Sequence, residues 1–345
     1  MGMGVNLGDI VPRRTLGWDA LKGKILAIDA YNALYQFLAT IRGPRGEPLK
    51  DSEGRVTSHL SGLLYRTARF VEVGIKPVYV FDGVPPALKE AEIKRRKTAR
   101  EEAIVKYEEA LSRGDYEAAR KYAQASATLK DYMAEDAKRL LRLLGIPYVE
   151  APSEGEAQAA WMTIRGDAWA AVSQDHDALL FGAVRVVRNL SVVGRRKLPG
   201  RDVYVEVEPE LIVLDEVLST LKVTREQLID IAILVGTDYY PDGVKGVGPK
   251  KALDYVRRYG DAKSVLRILD IKQQIPVDEI RRIFLEPKVC SDYKLEWRQP
   301  DIDGTVDFLC GERDFSEDRV TKAVKIIADN LKMIGKSRTL EGWFR

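Results

Sequence analysis

Short runs of apolar residues along the chain each end on an acidic side chain. Three of these runs, at 24–29, 77–82 and 169–175, are continuous and rich in residues that favour strands. Such runs are typical of parallel strands that are covered on both faces. A fourth run of the same design, at 229–238, lies where the pattern becomes helical from Thr224 onwards. Since the carboxyl ends of parallel strands meet at one edge of a sheet, we expect the acidic residues to lie close together.

Helical patterns separate the strands. They cover 31–41, 60–73 and 131–144. The alternation of strand and helix predicts an α/β fold with a mostly parallel central sheet flanked by helices. The segment 87–146 contains no proline and is rich in Glu, Lys, Arg and Ala, so we expect it to be helical with a break at Gly114.

A hairpin is predicted near the middle of the chain, where residues 186–207 alternate between apolar and polar. Its tip, around 194–200, is expected to carry Arg195, Arg196 and Lys197. Solvation of these side chains is favoured there over contact with a partner.

Two acidic motifs add to the strand ends. Ser153 is predicted to cap a helix, which places Glu154 and Glu156 in its first turn. Asp175 and Asp177 lie two positions apart in a segment predicted to be extended, so they share a face. The fold could therefore gather seven carboxylates, those of Asp29, Asp82, Glu154, Glu156, Asp175, Asp177 and Asp238.

Seven carboxylates in one cleft would repel one another unless they protonate or neutralise cations. Oxygen ligands without Cys or His suit Mg²⁺ or Mn²⁺. Two such ions about 4 Å apart are the usual apparatus for hydrolysing a phosphodiester. A single strand-end Asp is more often a helix cap or a turn residue, and it is the combination that favours a metal site. His176 is expected at the surface or beside the ligands rather than among them.

The charge balance is near neutral, with 55 Lys and Arg against 52 Asp and Glu. Taken alone, this balance argues against a nucleic-acid partner. The charges are separated, however, because 88–106 carries seven Lys or Arg and four Glu, and 243–251 reads GVKGVGPKK. Two Cys exclude a disulfide framework, and neither a signal peptide nor an apolar run of bilayer length is visible. We therefore expect a soluble protein in a reducing compartment.

The glycine-rich segment could bind phosphate. Gly246 and Gly248 allow close backbone approach, and Pro249 suits the first position of a helix. Amides at that helix start, with Lys250 and Lys251, would attract a phosphate. A plain turn between two helices is the commoner explanation of such glycines.

Five stretches, in this order, resemble the flap endonucleases of the structure-specific 5′-nuclease superfamily, in particular the archaeal branch. They are DAYNALYQF (29–37), GIKPVYVFDG (74–83), APSEGEAQAA (151–160), SQDHD (173–177) and LVGTDY (234–239). The resemblance covers nearly the whole chain. It implies a PIN-like 5′-nuclease core with a helical arch and a helix–two-turn–helix element. The implied activity is Mg-dependent removal of 5′ flaps from branched DNA in replication and repair, with 5′–3′ exonuclease activity, in the cytoplasm of an archaeal cell.

The resemblance also implies roles for particular residues. Ligands or water-mediated supports of a first Mg²⁺ would be Asp29, Asp82, Glu154 and Glu156, and a second Mg²⁺ would use Asp175, Asp177 and Asp238, with Mn²⁺ able to substitute. Lys89 and Arg96 match arch residues that face the scissile phosphate, and a spacing of seven places them on one helical face. DNA contacts would involve Tyr35, Arg42, Thr57, Arg66, Gly246, Gly248, Lys250 and Lys251. A monovalent cation is expected at the helix–two-turn–helix.

Both ends of the chain match the family with departures. Gly4 aligns with the glycine at which the family's mature chain begins, near the active site. The tail SRTLEGWF (337–344) resembles the motif that docks on the sliding clamp, proliferating-cell nuclear antigen, through Leu340, Trp343 and Phe344. Ser337 stands where that motif usually has Gln. The protein by itself is expected to be a monomer.

The motifs divide the chain into five regions. They are a nuclease region at 1–103, the rest of the arch at 104–120, an internal nuclease region with the helix–two-turn–helix at 121–263, a C-terminal region at 264–336 and the clamp-binding tail at 337–345. Two alternatives stay open: a related nuclease for repair bubbles or RNA, and a junction-binding protein without catalysis. The short arch and the tail weigh against the bubble nuclease, and the seven intact carboxylates weigh against the binding protein.

Overall fold

The computed structural model describes residues 4–190, 194–197, 204–272 and 274–341. The strands of this part of the chain are β1 (Arg14–Thr15), β2 (Ile25–Asp29), β3 (Lys76–Phe81), β4 (Tyr148–Glu150), β5 (Ala170–Val172), β6 (Arg185–Arg188), β7 (Gly194–Lys197), β8 (Tyr204–Val207) and β9 (Glu210–Val213).

The helices of the same residues are α1 (Ala30–Thr40), α2 (Ser58–Glu72), α3 (Glu90–Ser112), α4 (Tyr116–Ala125), α5 (Asp131–Leu143), α6 (Gly155–Ile164), α7 (Asp177–Leu180), α8 (Leu214–Leu221), α9 (Arg225–Val235), α10 (Pro249–Tyr259), α11 (Ala262–Ile268), α12 (Val277–Leu285), α13 (Ile302–Val306) and α14 (Glu317–Glu341). Short 3₁₀ turns occupy Trp18–Leu21 and Ala87–Lys89, and a π turn occupies Asp307–Gly311. No helix in these described ranges is long and apolar enough to cross a membrane.

The main sheet confirms the predicted α/β fold. Its seven strands within the described residues follow the order β1-β9-β6-β5-β2-β3-β4. The five strands β4, β3, β2, β5 and β6 are parallel to one another. At one edge, β9 pairs antiparallel with β6, and β1 pairs antiparallel with β9. The carboxyl ends of β2, β3 and β5 therefore lie side by side.

Both faces of the sheet are covered, which explains the continuous apolar runs. Alternate residues of the central strands face opposite sides. Ala27 and Val78 belong to a core shared with α6 to α9, and Ile28 and Tyr79 belong to a second core shared with α1, α2, α5 and α14. Each strand is thus apolar at successive positions.

The fourth apolar run forms a helix, α9, rather than a strand. Thr224 begins it with a reciprocal capping box that includes Gln227. Residues Leu228 to Leu234 are all buried, so this part of the helix lacks the usual solvated face, and its one charged residue, Asp230, is paired with Arg281. The chain then turns at Gly236 to place Asp238 at the edge of the sheet.

The predicted helical segment 87–146 forms three helices, α3, α4 and α5. The break between the first two falls at Gly114, as predicted, and its φ of 72° is easily adopted only by glycine. α3 and α4 pack against each other around this turn, and α5 returns the chain to the sheet. We use the name arch for α3 and α4.

The predicted hairpin is present, but its register is different. β7 pairs antiparallel with β8 from Gly194 opposite Val207 to Lys197 opposite Tyr204. Arg195, Arg196 and Lys197 therefore lie on a strand rather than in a turn, because their backbone is paired with residues 204–206, and residues 198–203 lie outside the described part of the chain.

The C-terminal tail is described only in part. α14 continues to Glu341, so the backbone at Ser337 and Leu340 is helical. Trp343 and Phe344 lie outside the described residues.

Candidate active site

Two strand-end aspartates begin the site. Asp29 is the last residue of β2 and also the cap of α1, where it accepts a hydrogen bond from the Asn32 amide at 2.9 Å. Asp82 follows β3, which is paired with β2, and accepts a hydrogen bond from the Gly155 amide at 2.7 Å. Asp29 therefore caps a helix, which was the alternative to a site role, and it also lies close to another strand-end carboxylate, as predicted.

The start of α6 differs from the expectation. Ser153 does not cap this helix; its hydroxyl donates to the Val84 carbonyl at 3.0 Å, and Glu154 occupies the cap position without a capping hydrogen bond from its side chain. The physical reason is that Asp82, from a neighbouring strand, already accepts the first free amide of α6. Glu154 still enters the cleft, and Glu156 lies in the first turn as predicted.

The segment that carries Asp175 and Asp177 is not extended, which corrects the sequence prediction. β5 ends at Val172, the chain bends, and Asp177 begins the short helix α7. Both aspartates are 6% exposed. They share the cleft because the bend turns them to one side, not because of strand alternation.

The N-terminal segment packs against these two aspartates. The Val5 amide donates to Asp177 at 3.0 Å. A Cβ at Gly4 would collide with the Asp177 carboxylate, so only glycine fits there. His176 is buried rather than at the surface, with its Nδ1 3.2 Å from the Val5 carbonyl. This contact indicates that His176 supports the N-terminal segment rather than binding a metal.

Two basic side chains, one just before α3 and one on it, reach the carboxylates. The Lys89 Nζ lies 2.5 Å from Glu154 and 3.3 Å from Asp238. A terminal nitrogen of Arg96 lies 2.5 Å from the other Asp238 oxygen. The two side chains therefore meet in one pocket, as predicted. They do not share a helical face, because Lys89 ends the 3₁₀ turn that precedes α3 and occupies the cap position of that helix.

Burial and mutual repulsion shape the protonation of the cleft. Burial and then the charge of Asp82 raise the pKa of Asp29, and burial and then Glu154 raise the pKa of Asp82 to about 6. Burial and then the charge of Asp177 raise the pKa of Glu156, and burial and then the charge of Asp238 raise the pKa of Asp177. Desolvation and like charge thus both oppose ionisation in the cleft.

In contrast to the carboxylates, Lys89 is favoured in its charged form. Burial alone would lower its pKa, but Glu154 and Asp238 outweigh burial and raise it. Lys89 therefore remains charged and offsets part of the negative charge in the cleft.

The chemistry of the donor atoms in the cleft suits a hard divalent cation. The donor set consists of carboxylate oxygens whose pKa values are raised by burial and then by mutual repulsion, and bound cations would favour their charged forms. Among the described residues, no group of three or more Asp, Glu, His or Cys side chains is already drawn together around one metal position. Glu154 and Asp238 instead contact Lys89.

The other predicted DNA contacts lie outside the cleft. Tyr35 is half-buried on α1, and the Arg100 guanidinium of the arch lies 4.7 Å from its ring centre. Arg42 and Arg66 are half-buried, and burial lowers the pKa of both. Thr57 is 4% exposed, so little of it reaches the surface.

The glycine-rich segment has the predicted local structure. Gly248 caps α10, and Pro249 is its first residue. Gly246 has a φ of 79° and open space around it. Lys250 and Lys251 are exposed, and Lys251 donates to the Gly246 carbonyl at 3.1 Å. The segment is therefore an accessible, basic helix start.

Sequence reasoning missed three polar residues of the cleft. Asn32 donates to Asp175 at 3.2 Å, and Ser173 donates to Glu156 at 2.5 Å. Glu92 holds Arg96 at 2.7 Å. Each lies two to four positions from a predicted site residue, which is the only signal in the sequence that marks it.

An acidic cleft at the carboxyl edge of a mostly parallel sheet, entered by basic side chains of a helical arch, defines a class of DNA-cleaving nucleases. Two family models match the chain: the XPG N-terminal domain over residues 6–103 and the XPG I-region over residues 145–238.

Known proteins match nearly the full length. The chain is 55% identical to flap endonuclease 1 of Pyrococcus abyssi over 99% of this chain and 98% of that protein. The solved flap endonuclease-1 from Methanococcus jannaschii is 48% identical, with a TM-score of 0.76 over 95% of this chain and 99% of that chain. The catalytic core of Rad2 in complex with DNA substrate has the same fold, with a TM-score of 0.68 and 23% identity over 91% of this chain and 96% of that chain. The chain belongs to the flap endonucleases of the XPG family, hydrolases that cleave phosphodiester bonds in DNA.

Proposed function

We propose that the protein hydrolyses one phosphodiester near the base of a 5′ flap in branched DNA, during replication and repair, and that it has 5′–3′ exonuclease activity. The observation that carries this proposal is the meeting of Lys89 and Arg96 with Asp238 in the acidic cleft. From this position the basic groups could contact one side of a phosphate, while cations held by the carboxylates contact its other side. The membership of the family supplies the substrate class.

The carboxylates would hold two divalent cations, Mg²⁺ with Mn²⁺ as a substitute. The first would use Asp29, Asp82, Glu154 and Glu156, and the second would use Asp175, Asp177 and Asp238. Such cations, when bound, supply Lewis acidity that activates a water and stabilises the leaving oxygen. Support comes from the oxygen-only donor set and from the raised pKa values of Asp29, Glu156 and Asp177.

Lys89 and Arg96 would offset charge that develops on the scissile phosphate. A preorganised cation in a cleft shielded from water is worth far more than one in solution. Both side chains are largely buried, at 15% and 21% exposure, and both are held by carboxylates. They are therefore aimed before substrate arrives.

The duplex would be held at the glycine-rich segment. Exposed amides at the start of α10, with Lys250 and Lys251, suit phosphate contacts that do not depend on base sequence. A monovalent cation could add to this contact. Tyr35 would stack on a base near the cut once Arg100 leaves its face. Arg42 and Arg66 would line the path of the duplex, while Thr57, at 4% exposure, offers it little surface.

Cleavage of a panel of labelled substrates tests this function. A double flap, a nick, a bubble, a single strand and an RNA version are each incubated with Mg²⁺, and products are mapped to the nucleotide. We expect the double flap to be cut fastest, near its junction, leaving a 5′-phosphate. Preference for the bubble or for RNA would indicate a related nuclease, and junction binding without product would indicate a non-catalytic protein.

The C-terminal tail would bind the sliding clamp through Leu340, Trp343 and Phe344, and the protein by itself would be a monomer. Three large apolar residues near a chain end are unusual, because such ends normally avoid them. A variant with all three changed to Ala should cut flaps at the normal rate alone but lose stimulation by the clamp. Equal stimulation of both proteins would contradict this role.

A further inference from the structure

Glu92 is a buried acidic residue on the arch. It lies in the first turn of α3 and is 4% exposed, although a Glu on a charged helix is normally solvated. Burial of a carboxylate is costly unless it is paired and hydrogen-bonded. Glu92 forms ion pairs with Arg95 and Arg96, each with its Nε at 2.7 Å. Arg96 donates a hydrogen bond to Glu92 Oε1, whereas Oε2 has its ion pair but no hydrogen-bond partner within the described residues. These contacts explain how the carboxylate is tolerated there.

The Arg96 guanidinium is held at two of its nitrogens, one by Glu92 and one by Asp238. Its Nε donates to Glu92 at 2.7 Å, and one terminal nitrogen donates to Asp238 at 2.5 Å. The spacing of four residues brings Glu92 and Arg96 together on one side of α3. The long Arg96 side chain is thus held in a single orientation, with its terminal edge in the cleft and its Nε edge on the arch.

Arg95 shares Glu92 but is placed differently. Its side chain is 60% exposed, whereas that of Arg96 is 21% exposed. An exposed ion pair contributes little to stability or to orientation. Removing Glu92 should therefore mainly change the orientation of the Arg96 side chain.

We infer that Glu92 is a positioning residue for Arg96: it orients the guanidinium that faces the scissile phosphate and acts on the reaction only through it. This inference rests on the proposed function of Arg96. Glu92 makes no contact with the seven carboxylates of the cleft among the hydrogen bonds and ion pairs of the described residues.

Orientation and charge predict opposite effects of removing Glu92. A negative charge beside a phosphate site repels the substrate, so on electrostatic grounds alone the neutral variant Glu92→Gln should bind and cut DNA better. If Glu92 positions Arg96, the same variant should cut more slowly, because a small misplacement of a group in the transition state lowers the rate strongly. The sign of the change therefore separates the two effects.

Single-turnover cleavage of a labelled double flap tests the inference, with affinity measured separately without divalent metal. Glu92→Gln should reduce the cleavage rate about 10-fold to 100-fold, while the affinity stays the same or increases. In the Arg96→Ala background it should cause no further loss, because the residue through which it acts is absent. Gln has the size of Glu, and retained affinity shows that the variant is folded.

Two control variants complete the experiment. Glu101→Gln changes an exposed carboxylate on the same helix and should keep the wild-type rate. Arg95→Ala should also keep nearly the full rate. A Glu92→Gln protein that cuts as fast as wild type, or that slows Arg96→Ala further, would overturn the inference. A wild-type protein that does not cut the flap would instead overturn the proposed function.

Discussion

The ammonium group of Lys89 lies 2.5 Å from a carboxylate oxygen of Glu154, although the two residues are 65 positions apart in the chain. Lys89 approaches from the beginning of the arch, and Glu154 stands at the start of α6 beside the sheet. Their contact joins the arch to the acidic cleft. It also places a positive charge beside the carboxylates of Glu154, Asp238 and Asp82.

Replacing Lys89 by Met should slow cleavage about 100-fold to 1,000-fold, the range expected when a preorganised group is removed from a transition state. The carboxylates also lose a compensating charge, so the variant should melt at a lower temperature than wild type without metal. Mg²⁺ should narrow this difference. Single-turnover cleavage and thermal melts measure the two effects. Lys94→Met, an exposed position on α3, is the control; equal losses in both variants would contradict a specific role for Lys89.

Gly155→Ala should inactivate the enzyme without unfolding it. Ala favours a helix by about 1 kcal/mol over Gly, so the change alone should not weaken α6. A Cβ at this position would come 2.5 Å from the Asp82 oxygen that accepts the Gly155 amide, and Asp82 would have to move. Cleavage assays and urea unfolding test this separation. Gly17→Ala, where the added Cβ meets open space, should leave activity intact. Full activity of Gly155→Ala would show that the position of Asp82 is unimportant.

Lys250→Gln should weaken binding to branched DNA, irrespective of base sequence. The exposed Lys250 lies on the first turn of α10, and each lost phosphate contact lowers the slope of log K against log salt by about 1. Binding measured at several salt concentrations gives this slope. Lys322→Gln, an exposed position on α14, should keep the wild-type slope. Unchanged slopes in both variants would place the duplex elsewhere.

His59 should make the protein sensitive to acid. Its ring is fully buried and lies edge-on to Tyr132, and within the described residues neither ring nitrogen has a hydrogen-bond partner. Burial, and then the charge of Arg313, lower its pKa from 6.5 to about 3. Between pH 6.5 and pH 3, His59 is therefore protonated in the unfolded chain but neutral in the folded chain. Stability from this group is full above pH 6.5 and falls by about 1.4 kcal/mol per pH unit below it.

The variant His59→Leu removes this group with little change in volume. From pH 7 to pH 5 its free energy of unfolding should fall by about 2 kcal/mol less than that of wild type. Urea unfolding at the two pH values measures the difference. His176, whose pKa burial lowers to about 4, is present in both proteins, so its contribution cancels. Equal losses in the two proteins would show that His59 accepts a proton in the folded state.

The strand-end residues were predictable because they depend on a pattern along the chain. A continuous apolar run that ends on Asp29 or Asp82 indicates a covered parallel strand, and parallel strands share an edge. Asp238 was expected at the same edge, and the turn after α9 brings it there by a different route. The convergence therefore followed from fold class, even where one element was helical.

Local contacts that depend on distant partners were not predictable. Ser153 has the sequence of a helix cap, but Asp82, 73 positions from Gly155, accepts the amide instead. Glu92 and Arg96 have the spacing of an ordinary solvated pair, but Glu92 is buried in the folded chain, which the spacing does not indicate. Sequence spacing describes neighbours on one element, whereas burial depends on all elements together.

The most direct test of the central claim is Mg²⁺-dependent cleavage of a labelled double flap by Asp175→Asn. Asp175 is 6% exposed in the acidic cleft and accepts a hydrogen bond from Asn32, so the amide can fit the same space. Asp303→Asn, an exposed position on α13, serves as the matched control. We predict that Asp175→Asn binds the flap but cuts it at least about 100-fold more slowly, while Asp303→Asn cuts at the wild-type rate. A near-normal rate for Asp175→Asn would contradict the assignment of the cleft as the catalytic metal site.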